Sequence, residues 1–129
     1  MTGKRGRIHD LLNKEVESFI VGANSIIENY FLYIGFPDAS FNIVKVVGKR
    51  YIRLDAIKGE DTWTWGFIDM VNGDCLKAAS FRSPSEKTPR GNVRDRHNGL
   101  SFVTWSGFAP ITCGEGWPMG LRLERRLHV

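Results

Sequence analysis

Thr62-Trp63-Thr64-Trp65-Gly66-Phe67-Ile68-Asp69-Met70-Val71-Asn72-Gly73-Asp74-Cys75-Leu76-Lys77-Ala78-Ala79 is the stretch on which the fold turns. Its first half is aromatic and β-branched, the composition that suits a pleated, half-buried surface. Period-two alternation places Trp63, Trp65 and Phe67 on one side of a strand and Thr62, Thr64 and Ile68 on the other. Asn72-Gly73 comes next, and both residues accept the positive φ of a tight hairpin turn. Residues 75–79 are then expected to return beside the first strand.

Upstream, residues 41–47 are apolar and β-branched, Gly48-Lys49 makes a short turn, and residues 50–57 form a second strand. Ile52, Leu54 and Ala56 alternate there against Tyr51, Arg53 and Asp55, which predicts one buried and one wet face. Residues 58–61 turn into the strand quoted above. Further upstream the period changes. Ile8, Leu11, Leu12, Val16, Phe19, Ile20, Ala23, Ile26, Ile27, Tyr30, Phe31 and Ile34 recur at three- and four-residue steps, the signature of one broad helix face. Glu15, Glu17, Asn24, Glu28 and Asn29 fall mainly on the other side. Asp10 is a candidate N-cap, Gly22 a candidate bend, and Gly35 with Pro37 a stop. About seven helical turns, or two shorter helices end to end, are expected.

Downstream the texture loosens. Residues 80–99 are rich in Ser, Pro, Gly and Asn and lack periodicity, so they predict a long loop. Residues 100–105 are expected to be a fifth strand and Leu121-Arg122-Leu123 a short sixth. The expectation is therefore an α+β domain spanning residues 1–129. A long N-terminal helix packs on an antiparallel sheet of four to six strands in hairpin order, with a long basic loop.

The chain has 129 residues, 42% hydrophobic and 25% charged, which is globular rather than disordered composition. Cys75 and Cys113 fit neither a disulfide framework nor a zinc site, and the reading is two reduced, packed thiols with no metal and no cofactor. No signal peptide and no apolar run of membrane-spanning length is visible, so the expected location is the cytoplasm, without membrane contact. Net charge is +4 and unevenly spread. Lys4, Arg5 and Arg7 make residues 1–9 a basic arm, residues 10–81 are net acidic, and residues 82–129 are net basic. Positive ends around an acidic middle point to a polyanionic partner.

The chemistry that could meet such a partner lies in the loop. Lys77, Arg82, Lys87, Arg90, Asn92, Arg94 and Arg96, interspersed with Ser80, Ser83, Ser85, Thr88 and Gly91, offer the cations, hydroxyls and backbone N–H groups that phosphate oxygens accept from. Trp63, Trp65 and Phe81 are candidates for stacking on bases. The plainer reading is a solvated loop over a Trp-rich core. Asp69, Asp74 and Lys77 resemble a metal-dependent nuclease site, in which acids hold a divalent cation and Lys steadies the attacking water. Against that, Asp74 belongs to the Asn72-Gly73 turn, where its carboxylate would satisfy backbone donors. His9, His97 and His128 show no spacing that would pair them with either cysteine as base and nucleophile, and no phosphate-loop motif occurs. No catalytic residue is assigned.

Trp65-Gly66-Phe67-Ile68-Asp69, Asn72-Gly73-Asp74-Cys75-Leu76-Lys77-Ala78-Ala79-Ser80, Pro84 and Arg90-Gly91-Asn92 together resemble a group of small proteins encoded by bacteriophages. Proteins of that group share this hairpin and a subsequent Pro- and Lys-containing loop that ends in Arg-Gly-Asn. The resemblance covers about thirty of the 129 residues. It departs at Phe81-Arg82-Ser83-Pro84-Ser85, where the group tends toward a Trp-Lys-Ala-Pro run. It implies a viral origin, and hence the host bacterial cytoplasm, with a shared hairpin-loop unit and no particular chemistry.

These features suit two functions of different classes. One is a non-enzymatic protein that binds nucleic acid or another phosphate-rich ligand through the basic loop and arms. The other is a factor that docks on a host or viral protein through Trp105, Phe108, Trp117 and the basic arms, since interfaces favour aromatics and Arg. A metal-dependent nuclease or hydrolase is the third reading. The broad apolar face of the helix serves either core packing or a homo-oligomer seam.

Overall fold

The structure, a computed structural model, describes residues 2–80, 82–85 and 89–109, and side chains from residue 12 onward. The expectations for Phe81, Lys87, Cys113, Trp117, His128 and Leu121-Arg122-Leu123 lie outside the described residues, as do those for the side chains of the 1–9 arm. Helix α1 spans Thr2–Tyr33. It begins ahead of Asp10, so that residue lies inside the helix rather than capping it. α1 runs through Gly22 without interruption. A Cβ there would sit 2.6 Å from Leu100 Cδ1, so the missing side chain is the seat of Leu100. No helix among the described residues is long and apolar enough to cross a membrane.

After a 3-10 turn at Pro37–Ala39 come β1 (Asn42–Val47), β2 (Tyr51–Lys58), β3 (Asp61–Asp69) and β4 (Cys75–Leu76), an antiparallel sheet in the order β1-β2-β3-β4. Ile52, Leu54 and Ala56 turn inward as the alternation requires. In β3 the alternation breaks. Leu54 pairs with Gly66 but Asp55 pairs with Thr64, so Trp65 is an extra residue in a β-bulge. The bulge reverses the parity of the residues after it. Ile68, opposite Ile52, enters the core, while Phe67, opposite Arg53, turns to the other face with its partner Leu76. The expected grouping of Trp63, Trp65 and Phe67 on one side thus fails at Phe67.

Residues 100–105 do not extend this sheet. β5 (Val103–Thr104) and β6 (Gly107–Phe108) form a separate two-residue hairpin. This hairpin shares a layer with α1. Phe19, Trp65 and Phe108 meet between that layer and the sheet, with ring centroids 4.7 Å apart for Trp65 and Phe108 and 5.8 Å for Phe19 and Phe108. Gly66 makes the contact fit, since a Cβ there would lie 2.9 Å from the Phe108 ring. Leu12, Val16, Phe19, Ala23, Ile26, Ile27 and Phe31 complete the core from the helix side. Burying each large side chain contributes about 1.5–3 kcal/mol.

The two edges of the sheet are finished differently. At β1 the Asn24 side chain of α1 meets the outer edge. Ile43 N donates to Asn24 Oδ1 at 2.7 Å, and Asn24 Nδ2 donates to the Ile43 carbonyl at 3.3 Å. A residue expected on the helix's polar side therefore plugs one position of the strand edge. The β4 edge is covered by the chain's own loop.

Candidate functional site

The loop expected to be irregular is pinned along most of its described length. Asn72 Oδ1 accepts from Asp74 N (2.8 Å), and Gly73 takes φ 87°, which closes the turn out of β3. The chain runs out along 74–78, and residues 84–85 and 89–93 lie back alongside it. Ser85 N donates to the Lys77 carbonyl (2.7 Å), Arg90 N to the Cys75 carbonyl (2.7 Å), Cys75 N to the Gly91 carbonyl (2.9 Å) and Val93 N to the Gly73 carbonyl (2.9 Å). Bridges at Ala78–Pro84 and Asp74–Asn92 mark the two ends of this ladder. At the outer tip, Ser80 Oγ accepts from the backbone N–H of Arg82 and Ser83, both at 3.2 Å.

The inner end is a polar knot. Asn92 Nδ2 donates to the Asn72 carbonyl and to Asp74 Oδ1, both at 2.9 Å, and Asn92 Oδ1 accepts from Arg94 N (2.8 Å). Asp95 gathers three backbone donors: Asn92 N at 3.1 Å, and His97 N and Gly99 N at 2.9 Å each. Asn98, at φ 54°, donates through Nδ2 to the Val93 carbonyl (2.6 Å) and to the Glu15 carbonyl of α1 (3.1 Å). Gly99 is confined twice, by φ 76° and by Cys75 Sγ, which a Cβ would approach to 2.8 Å.

This scaffold sorts the candidate residues. Lys77, Arg82, Arg94 and Arg96 are exposed. Lys77, Arg94 and Arg96 take part in none of the ion pairs found among the described residues. Arg90 is half-buried and reaches the Phe108 carbonyl at 3.5 Å, leaning on the β5–β6 hairpin. Asn92 has its side-chain donors and acceptor engaged within the knot. At ~3.3 Å per residue the ladder separates Lys77 from the Arg94 and Arg96 turn by about 10 Å. Of the stacking candidates, Trp63 and Trp65 are not part of this group. Trp65 is only 3% exposed, against Phe19 and Phe108. Trp63 is 40% exposed at the opposite end of β3, edge-on to Phe41 at 5.0 Å.

The acids of the nuclease-like reading are occupied by structural bonds. Asp69 is buried, with Oδ1 accepting from Val71 N (2.8 Å) and Oδ2 from Arg50 Nη2 (3.1 Å). Among the described residues no three His, Cys, Asp or Glu side chains are grouped to hold a metal ion. Burial pushes the Cys75 thiol well above its ordinary pKa, and the Asp95 and Asp74 carboxylates push it further. That disfavours the thiolate a nucleophile requires.

Sequence reasoning passed over Asp95, Asn98 and Asn24. The first two carried a visible signal, since an Asx residue before or near Gly commonly closes a turn on its own backbone. Asn24 carried none, because its partner lies nineteen positions away in sequence. No curated protein and no solved structure matches the chain. A family model does match residues 11–110, a span that takes in the six strands found among the described residues and the pinned loop. By that match the chain belongs to the family of unknown function DUF7717.

Proposed function

We propose that this protein binds nucleic acid or another phosphate-rich ligand, without turning it over, through the cations of the 77–96 loop. The observation that carries this reading is the pairing of exposed, uncommitted charge with a fixed scaffold. Lys77, Arg94 and Arg96 are exposed and outside the ion pairs, while Asp74 and Asp95 spend their carboxylates on Asn92 and on backbone donors. Cations on a pinned turn lose less conformational freedom on binding than cations on a free loop. Affinity would come from the phosphate backbone, with little sequence preference. If the chain is of phage type, its ligand would be met in the host cytoplasm.

Fluorescence anisotropy with single-stranded DNA, duplex DNA and RNA at several salt concentrations tests this. Three phosphate contacts on a duplex give a slope of log affinity against log salt of roughly −2 to −3. The triple variant Lys77→Ala, Arg94→Ala, Arg96→Ala should flatten that slope. Binding that is indifferent to salt, or absent for all three nucleic acids, rejects the proposal.

A second reading is favoured by a separate observation. Trp105 is 47% exposed while its ring stacks on Tyr30 (6.4 Å, 11° between planes), beside a helix end that exposes Leu32, Tyr33, Ile34 and Phe36. An exposed Trp held in one orientation is a suitable anchor for a host or viral protein. Phe108, another expected anchor, is buried and unavailable for that role. Retention of a stoichiometric protein from nuclease-treated lysate, lost on Trp105→Ala, would favour docking.

A further inference from the structure

The two sheet edges differ in a way that points to a partner. The β4 edge is closed by the returning residues 84–85 and 90–93, whereas among the described residues the backbone of the outer β1 edge is plugged only at Ile43. The Ile43 amide and carbonyl face outward to Asn24, so strand alternation turns those of Lys45 and Val47 to the same outer edge. Among the described residues they meet no hydrogen-bond partner. Val46 and Val47 beside them are 38% and 58% exposed. An open apolar edge of this kind invites another strand. We propose that the occupant is a second copy of this chain, paired antiparallel through β1 to make one continuous eight-stranded sheet.

The backbone of the edge selects the register. Pairing Lys45 with Val47 of the second copy, and Val47 with its Lys45, uses the outward donors and acceptors of both residues in both chains. It also sets Val46 against Val46 on the two-fold axis. Shifting by two residues one way opposes Lys45 to Lys45 and demands Ile43, whose groups Asn24 already holds. Shifting the other way opposes Lys45 to Lys49. The Lys45 ammonium is held on α1 by Glu17 and Asn13, both at 2.6 Å, so backbone geometry decides: the first shift fails at Ile43, and the second draws Lys49 of the β1–β2 turn, outside the strand, into the ladder. The chosen register also suits the chain path, because β1 ends at Val47 and turns toward β2 where Asn24 blocks the edge. Charge agrees too. The turn residue Lys49 of the second copy arrives beside Ile43, next to the groove of about 530 Å³ that Asn24, Glu28 and Asn42 help to line.

Sedimentation of the full chain over a wide concentration range should show a monomer–dimer equilibrium. Val46→Lys puts two ammonium groups face to face in the dimer and leaves a partly exposed monomer position. It should weaken dimerisation at least about tenfold. Val46→Cys gives an independent reading. Opposed residues of a non-hydrogen-bonded antiparallel pair have Cα atoms about 4.5 Å apart, within disulfide reach. Mild oxidation should therefore link Val46→Cys chains but not Val44→Cys chains, whose position faces Gly48, with the wild-type chain as control for Cys75 and Cys113. A chain that stays monomeric at every concentration overturns the proposal. So does a dimer that neither responds to Val46→Lys nor crosslinks at Val46→Cys, because it must use another surface.

Discussion

The aromatic layer around Phe19, Trp65 and Phe108 and the returning loop around Asn92 and Asp95 are held by different forces. The first is held by area. Its rings are buried and meet at tilted angles, and no hydrogen bond orients them; Trp65 Nε1 is buried without a partner. The second is held by direction. Asp95 is exposed and buries little, yet three backbone donors converge on its two oxygens. Burial is tolerant of shape and intolerant of lost volume, whereas a turn closed by a carboxylate is tolerant of solvent and intolerant of a changed donor pattern.

The largest effect should come from the layer held by area. Phe19 is fully buried, touching both Trp65 and Phe108. Phe19→Ala should destabilise the protein by about 3–5 kcal/mol. That is a large part of the roughly 5–15 kcal/mol that a domain possesses. Urea unfolding measures it. A cost below about 1 kcal/mol would mean that the rings collapse into the vacated space and that the layer is not close-packed.

The loop should respond less in total and more selectively. Asp95→Asn preserves the shape but replaces one acceptor oxygen with a donor, which then faces either Asn92 N or the two donors at His97 and Gly99. It should cost about 1–2 kcal/mol, nearly as much as Asp95→Ala. The loss should appear in hydrogen exchange as faster amides at Asn92, His97 and Gly99, with β2 and β3 unchanged. If Asp95→Asn behaves as wild type while Asp95→Ala does not, the turn is held by packing after all.

Legibility in the sequence divides along the same line. The helix, the three long strands and their hairpin order were readable because their signals are local, in periodicities of 3.6 and 2 and in the Asn72-Gly73 turn. The Trp65 bulge was not, since a single extra residue changes no composition, only which face Phe67 and Ile68 reach. The loop's basic residues were legible as a candidate site. Its ladder was not, because Ser85, Arg90, Gly91 and Val93 fall in no strand pattern and pair through backbone atoms that any sequence supplies. Trp63 and Trp65 were grouped with the cations by nearness in sequence. The fold instead puts one in the core and the other at the far end of its strand.

Gly22 brings the two kinds of signal into direct opposition, with the smallest expected effect. By local propensity Gly22→Ala should stabilise α1 by about 1 kcal/mol. By packing it drives a methyl to 2.6 Å from Leu100 Cδ1, closer than carbon atoms stand in folded proteins, so Leu100 must move. Leu100 is only half-buried and the clash is with the end of a flexible side chain, so it can shift by a rotamer rather than displacing backbone. An off-rotamer adjustment costs of order 0.5–1.5 kcal/mol. The two terms nearly cancel, and the net change should stay within about 0.5 kcal/mol in urea unfolding. The double variant Gly22→Ala with Leu100→Ala removes the clash. It should recover the helix gain relative to Leu100→Ala alone, and a coupling near zero between the two positions would show that Leu100 does not rest on the helix at Gly22.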